Sequence, residues 1–431
     1  MLQRLDIRGF TGDVAEHLPA PTAGGAGPVE AVAGIVAEVA AGGDDAVRAF
    51  TERFDGAALD GLIVPDAVVA SAVDRIDHTV RASLTVAARR VRAFHEHQRA
   101  ETVHPARFVD DSGLVVETVF RPVAAAACYV PGGRAVYPST VLHTAIPARV
   151  AGVERVVVCV PPSQDGTVPD VTLAACALAG VDEVVSVGGA QAIAAVAYGT
   201  ESIRPVDVIV GPGNIYVALA KRAVADRVGI PNAFAGPSEV VVVADATAPV
   251  DLVAVDLLVQ AEHGPLGLSW CVTWDETVAD AVTDEVAAQV AGAARRDEIE
   301  ATLAENGYVV LCDSPAQALE VVNVVAPEHL ELMVDDPGAL VPQIRNAGAV
   351  FCGPDTPASL GDYLAGPSHV LPTHRSARYG QVLGVGDFCK EIHVVTADAG
   401  VFAALGPDLA TLAEAEGLWC HADSARRRLQ R

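Results

Sequence analysis

Apolar positions along the chain fall into two rhythms. The first is helical: "DAVVASAVDRIDHTVRASLTVAARRVRAFHEHQ", 66–98, keeps its apolar residues on one stripe and predicts an amphipathic helix. His95 and His97 lie near its polar end, two residues apart, so they share no helical face and are expected in solvent. From residue 113 the rhythm shortens. Strand-like runs occur at 124–130, 155–160, 183–187, 206–210, 239–245, 269–274, 308–312, 329–334 and 348–353, separated by helix-sized spacers such as "VTLAACALAG". Continuous Val-rich runs bounded by turns predict strands buried on both faces. Their alternation with helices predicts parallel sheets joined by right-handed crossovers.

"RVAGVERVVVCVPP" and "ALAGVDEVVSVGG" repeat one helix–Gly–strand grammar, with Gly152 and Gly180 as expected helix C-caps. These runs are more than one mononucleotide-type unit needs, so two α/β units are expected, with a hinge near "FAGPSE", 234–239. After 385 the tail reads as helical and is too short for its own core. It should dock elsewhere, for example on a second subunit.

Composition narrows the partners. The 431 residues carry a net charge of -26, and Lys221 and Lys390 are the only lysines. Such a surface disfavours nucleic acid and anionic membranes, which seek a basic face. The charged N-terminus has no signal-peptide core, and no apolar run reaches the ~18 residues of a membrane span. Eight cysteines form no CxxC; Cys128, Cys159, Cys271, Cys312 and Cys352 sit in strand-like runs and are expected as buried thiols of a cytoplasmic protein.

Glycine-rich turns at 129–140, 187–192 and 211–214 come where strands give way to helices. Free N–H groups there suit phosphate, although none of these turns is GxGxxG. Gln260 and His263 share a helical face at i and i+3, as a metal pair or as a helix-end histidine, while Glu262 points off that face toward the surface. Asp362 is equally a helix cap or a ligand, and His369 follows in the same loop. Glu416 and His421 lie near a helix end, where the dipole alone would favour a histidine. Ser238 lacks a GxSxG elbow. Glu328 and His329 stand side by side in "APEHLEL". The residues alone thus describe an acidic two-unit α/β protein with a phosphate-containing cofactor and a candidate metal.

Eight motifs then match a known family in order and spacing, from about residue 30 to the end. They are "YVPGG…YPST", "GGAQAIAAVAYGTESI", "VGPGNIYVALAKR", "AGPSEV", "QAEHGP", "APEHLEL", "LGDYLAGPSHVLPT" and "LAEAEGL…H". Together they resemble the histidinol dehydrogenases. The resemblance implies an NAD-dependent four-electron oxidation of L-histidinol through L-histidinal to L-histidine, the last steps of histidine biosynthesis. It implies a homodimer with an exchanged tail and one zinc per subunit. Zinc ligands carry over onto Gln260, His263, Asp362 and, from the partner's tail, His421. Glu328 and His329 carry over as the acid–base pair, and Tyr129, Gln191 and Asn214 as NAD contacts. Substrate contacts carry over onto Ser238, His369 and Glu416, with Gln260, His263, His329, Asp362 and His421 shared.

The expected architecture is α/β: two Rossmann-like parallel-sheet domains with helical N-terminal and C-terminal extensions. Residues 1–25 form the N-terminal extension; 26–128 with 239–384 form the acid–base and zinc domain; 129–238 bind NAD; 385–431 form the tail. Several positions depart from the family pattern. His143-Thr144 stand where Met-Asn is common, Ser368 where Asn precedes the histidine, and His374-Arg375 in place of a Gly pair. These leave open a paralogue acting on another alcohol, such as a dihydroxypropanesulfonate, for which His374 and Arg375 are candidate anion contacts. Glu416 argues against a sulfonate by repulsion. An NAD-independent zinc hydrolase, with Glu328 activating water, is the reading from a different class.

Overall fold

A computed structural model describes residues 1–19, 28–132, 135–231, 238–262, 264 and 267–431. His263 and most of the expected hinge lie outside the described residues. The strands are β1 (Gln3–Asp6), β2 (Ala106–Val109), β3 (Val115–Pro122), β4 (Ala125–Tyr129), β5 (Arg155–Cys159), β6 (Glu183–Val185) and β7 (Val208–Val210). They continue as β8 (Glu239–Ala244), β9 (Leu268–Thr273), β10 (Gly307–Leu311), β11 (His329–Met333), β12 (Ala349–Cys352) and β13 (Cys389–Thr396).

Two parallel sheets carry the α/β units. One has the order β6-β5-β4-β7 and the other β1-β10-β9-β8-β11-β12. In each, the first strand of the α/β run lies inside the sheet, so the order reverses beside it: between β4 and β7, and between β8 and β11. Every residue of β4, β8 and β11 is buried, as continuous apolar runs covered on both faces require. Each fully buried Val or Ile there contributes roughly 1.5–3 kcal/mol.

Residues 26–128 pack differently from expectation. Val32, Ile35, Val36, Val39, Val47 and Phe50 of the helix Val29–Asp55 cover Ala125, Ala127, Tyr129, Val157 and Cys159 of the four-stranded sheet. Helices Asp66–Arg75 and His78–Thr102 join the cluster on its other side, with Ala126, Cys128, Val156 and Val158. The N-terminal helices thus belong with the four-stranded sheet, and β1, from the expected extension, pairs with β10 of the other sheet. An apolar stripe specifies that it must be covered, not which sheet covers it.

The helix expected over 66–98 breaks at Ile76, because Asp77 caps a new helix by accepting the Thr79 N–H at 2.8 Å. His95 is buried rather than solvated, with Nδ1 2.8 Å from the Val91 carbonyl oxygen; burial lowers its pKa. Cys352 is exposed. The tail is only partly helical. β13 pairs antiparallel with β3 along its whole length, β2 adds a third strand, and the helices Ala399–Ala415 and Trp419–Leu429 pack as a hairpin beyond it. Among the described residues no helix is long and apolar enough to cross a membrane.

The turn after β7 closes on β4. Gly211 has φ +100°, and a Cβ on it would strike the Tyr129 carbonyl oxygen. The buried ammonium of Lys221 donates to the Gly211 carbonyl from below; burial lowers its pKa to about 8. Gly211→Ala should destabilise the chain by about 3 kcal/mol, read as a lower urea midpoint at unchanged m.

Candidate active site and cofactor cavity

The carboxyl ends of β4–β7 form the first site. A cavity of about 830 Å³ is lined there by Tyr129 after β4, Pro161 after β5, Gly189 and Gln191 after β6, and Asn214 after β7. It lies where the order reverses between β4 and β7, the usual ligand position in open parallel sheets. Its volume suits a large cofactor.

All three residues expected to contact NAD line this cavity. The Gln191 amide is buried, and neither its oxygen nor its nitrogen has a hydrogen-bond partner, a costly arrangement unless a ligand supplies one. The Tyr129 hydroxyl accepts the Gly189 N–H at 3.0 Å, and burial raises its pKa to about 12. The helix Gly189–Tyr198, with Gly188 at its N-cap, has no side-chain cap of its own, so beyond the Gly189 N–H held by Tyr129 its first-turn N–H groups suit an anion. The exposed Asn214 has Oδ1 engaged in capping the next helix, so its amide nitrogen is the end left for a ligand. These observations fit a pyrophosphate-bearing dinucleotide.

The second site sits at the amino ends of β8 and β11, again where the strand order reverses. Glu328 and Glu239 are both buried and exchange backbone bonds. Glu328 Oε2 accepts the Glu239 N–H at 3.0 Å, and Glu239 Oε2 accepts the Glu328 N–H at 3.3 Å. Glu239 Oε1 takes the His374 N–H at 3.2 Å. Burial raises Glu328 to about 7, and burial with the Glu328 charge raises Glu239 to about 8. Ser238 also bonds the Glu328 carboxyl.

His329 Nδ1 lies 3.1 Å from the Glu239 carbonyl oxygen, which can only accept, so Nδ1 carries the proton. Nε2 is left without a hydrogen-bond partner, 3.6 Å from Asp362 Oδ1. Burial pulls the imidazole pKa down, but Glu328 and Asp362 outweigh it and hold it at about 9. An acid, a base and a second carboxylate thus converge within one buried corner.

Asp362 lies in the short helix Ala358–Tyr363, and Gln260 in the helix Val250–Ala261. A buried carboxyl pair connects their supports. Glu331 of β11 accepts the Ala358 N–H at 2.6 Å and lies near the half-buried Asp256, one turn before Gln260; burial raises both pKa values, Glu331 to about 8. The buried Gln260 side chain has Nε2 unpartnered. Such N/O donors, with the His263 imidazole, suit zinc. Among the described residues no three His, Cys, Asp or Glu side chains gather as a metal cluster. Glu416 and His421 lie on the exposed tail hairpin and are not brought together with Asp362 within this chain. Glu262 is exposed, as expected.

Sequence reasoning missed Glu239, Glu331 and Asp256, since an acid within a Val-rich strand or helix carries no motif. It also left the departures unplaced. His143 is fully buried and stacks on His369, with ring centroids 4.4 Å apart at 15°. Ser368 donates to the His143 carbonyl at 2.8 Å, and Thr144 donates to the Thr140 carbonyl at 2.6 Å. His369 is fixed by the Asp362 carbonyl at Nδ1, 2.9 Å, and by Thr140 Oγ1 at Nε2, 3.1 Å; burial lowers its pKa. The first three departures therefore interlock behind His369. His374 and Arg375 keep φ of 54° and 61°, the left-handed region that a Gly pair would occupy without strain.

Comparisons with known proteins agree with this arrangement. The family model described as Histidinol dehydrogenase matches residues 24–429. A histidinol dehydrogenase of Parasynechococcus marenigrum is 48% identical over 90% of this chain and 88% of its own. One of Dehalococcoides mccartyi is 42% identical over 100% of this chain and 97% of its own. The crystal structure of histidinol dehydrogenase from Elizabethkingia anophelis superposes with a TM-score of 0.94 at 30% identity, covering 100% of this chain and 98% of that one. The chain belongs to the histidinol dehydrogenase family.

Proposed function

We propose that this protein oxidises L-histidinol through L-histidinal to L-histidine, reducing two NAD, as a zinc-dependent homodimer. The observation that carries the reading is the convergence of Glu328, His329 and Asp362 in a chain of this family that also holds a cofactor-sized cavity. The cavity argues against an NAD-independent hydrolase. The burial of His143 and Ser368 behind His369, away from open space, argues against a shifted substrate.

In the first step the alcohol C–H leaves as hydride and the O–H as a proton. In the neutral ring, the form favoured as pH rises toward its pKa of about 9, His329 Nε2 takes that proton; the Glu239 carbonyl holds the other nitrogen protonated and fixes the ring. In the second step His329 first releases that proton, water adds to the aldehyde with loss of one proton, and the hydrate anion loses hydride and a second proton to give the carboxylate. Glu328 removes the proton from the attacking water, its pKa of about 7 matching that task. His329 then takes the hydrate proton. Tyr129, Gln191 and Asn214 would hold the NAD that supplies the hydride acceptor. Gln260, His263, Asp362 and the partner's copy of His421 would hold a zinc able to orient the substrate's imidazole and amine. Ser238 and His369 line the substrate's path, and Glu416 reaches it from the partner's tail.

The tail supports the dimer. Leu405, Leu409, Leu412, Leu418 and Trp419 are exposed on the hairpin, with Trp419 at 66%, and Phe108 and Val395 on the sheet below. Apolar surface of this extent calls for cover, and a second copy of the chain is the partner that also completes the ligand set. The unpaired thiols suit the reducing cytoplasm.

Purified protein given NAD and histidinol should form about two NADH per histidine; NADH only with other alcohols, or ester hydrolysis without NAD, would sink the reading. His329→Asn should cost both half-reactions about 100-fold or more, whereas Glu328→Gln should cost aldehyde oxidation most. Equal losses with histidinol and with histidinal would remove the water-activating role of Glu328. Asp362→Ala and His421→Ala should each lose zinc. Mixing the two variants should restore about a quarter of wild-type activity by random assortment of subunits; no recovery would count against tail exchange.

A further inference from the structure

One acid in the cofactor cavity has no structural employment. Asp55 ends the helix Val29–Asp55, just before the left-handed cap Gly56, and lines the cavity with Phe54. A carboxylate at a helix C-terminus faces the negative end of the dipole. No Arg or Lys pairs with it among the described residues, and its Oδ2 is buried without a hydrogen-bond partner. Burial alone raises its pKa, with no opposing bond or charge. By contrast Asp44, in the same helix, is satisfied by Thr200, Ser202 and Arg48. Folding therefore gains nothing from the Asp55 charge, and the cavity is the place where it acts.

Its chemistry suits a vicinal diol. A carboxylate accepts two hydrogen bonds from adjacent ribose hydroxyls and repels a phosphate on either. Phe54, 51% exposed beside it, stacks on Phe50 and carries the Arg53 guanidinium over its ring, so this wall of the cavity is held in place. The open N-terminus of Gly189–Tyr198 and the orphaned Gln191 amide line the same cavity and suit the phosphates and the remaining polar groups. We propose that Asp55 holds the adenosine ribose of the cofactor and selects NAD against its 2′-phosphorylated form. The proposal rests on the NAD reading above and extends it to cofactor specificity.

The test compares wild type, Asp55→Asn and Asp55→Ala as zinc-loaded full-length protein. Calorimetric titration with NAD and with NADP, without histidinol, reads binding directly; steady-state KM values for both cofactors and for histidinol read it in turnover. Both variants should lose NAD affinity by about tenfold or more and narrow the NAD-to-NADP preference by a similar factor, at unchanged KM for histidinol. Their Tm should be unchanged or higher, since an uncompensated charge is removed, which separates a binding role from a structural one. NAD binding within twofold of wild type, or equal losses for NAD and NADP, would overturn the proposal. A wild type that neither binds nor reduces NAD would remove the cofactor reading itself and this one with it. Unaltered NAD use by Asp55→Ala would remove only the role of Asp55.

Discussion

Between the first residues of β8 and β11, two buried carboxyls exchange hydrogen bonds with each other's backbone, and the chemistry of the site hangs on that exchange. Two acids buried this close cannot both be charged cheaply, so burial raises both, and neutral pH falls within their titration range. The same residue, Glu239, meets three needs. Its carboxyl fixes the Glu328 peptide, its carbonyl sets the His329 tautomer, and its second oxygen anchors the turn at His374. That anchor holds His374, which like Arg375 has a positive φ, and the strain of about 1–2 kcal/mol each is carried by the surrounding bonds. Loss of one partner would leave a buried polar group unsatisfied, which costs more than the bond contributes.

The two sites occupy opposite ends of their sheets. The cofactor cavity sits at the carboxyl ends of β4–β7, where helix N-termini open toward it. The acid–base corner sits at the amino ends of β8 and β11. Each lies where its strand order reverses, and at the carboxyl ends of β4 and β7 the crossovers leave on opposite faces and open a crevice. The seam between the units is built from the loop carrying Ser368 and His369 against the helix Pro138–Ala151, buried almost all round. This seam holds His143, Thr144 and Ser368, so those three positions affect how firmly His369 is seated.

Most of the strands were legible, because Val-rich runs bounded by turns need burial on both faces whatever surrounds them. The long helix break at Asp77 was missed because the apolar stripe continues across it, while the cap is a single side-chain bond. β2, β3 and β13 were missed because their faces are largely exposed in one chain and so lack a buried-strand pattern. His95 was read as solvent-facing because its neighbours in sequence are polar; its burial comes from elements far along the chain.

By itself the sequence determined the alternation of strand and helix, the glycine turns at strand ends, and the adjacency of Glu328 and His329. These are local properties, set by periodicity and by the order of residues on one strand. Only the tertiary structure decided which sheet the N-terminal helices cover, that Glu239 stands against Glu328, and that Asp55 lines the cofactor cavity without a partner. A side chain's proton affinity and its unmet hydrogen bonds depend on what burial brings beside it. Those neighbours come from strands and helices dozens to hundreds of residues apart.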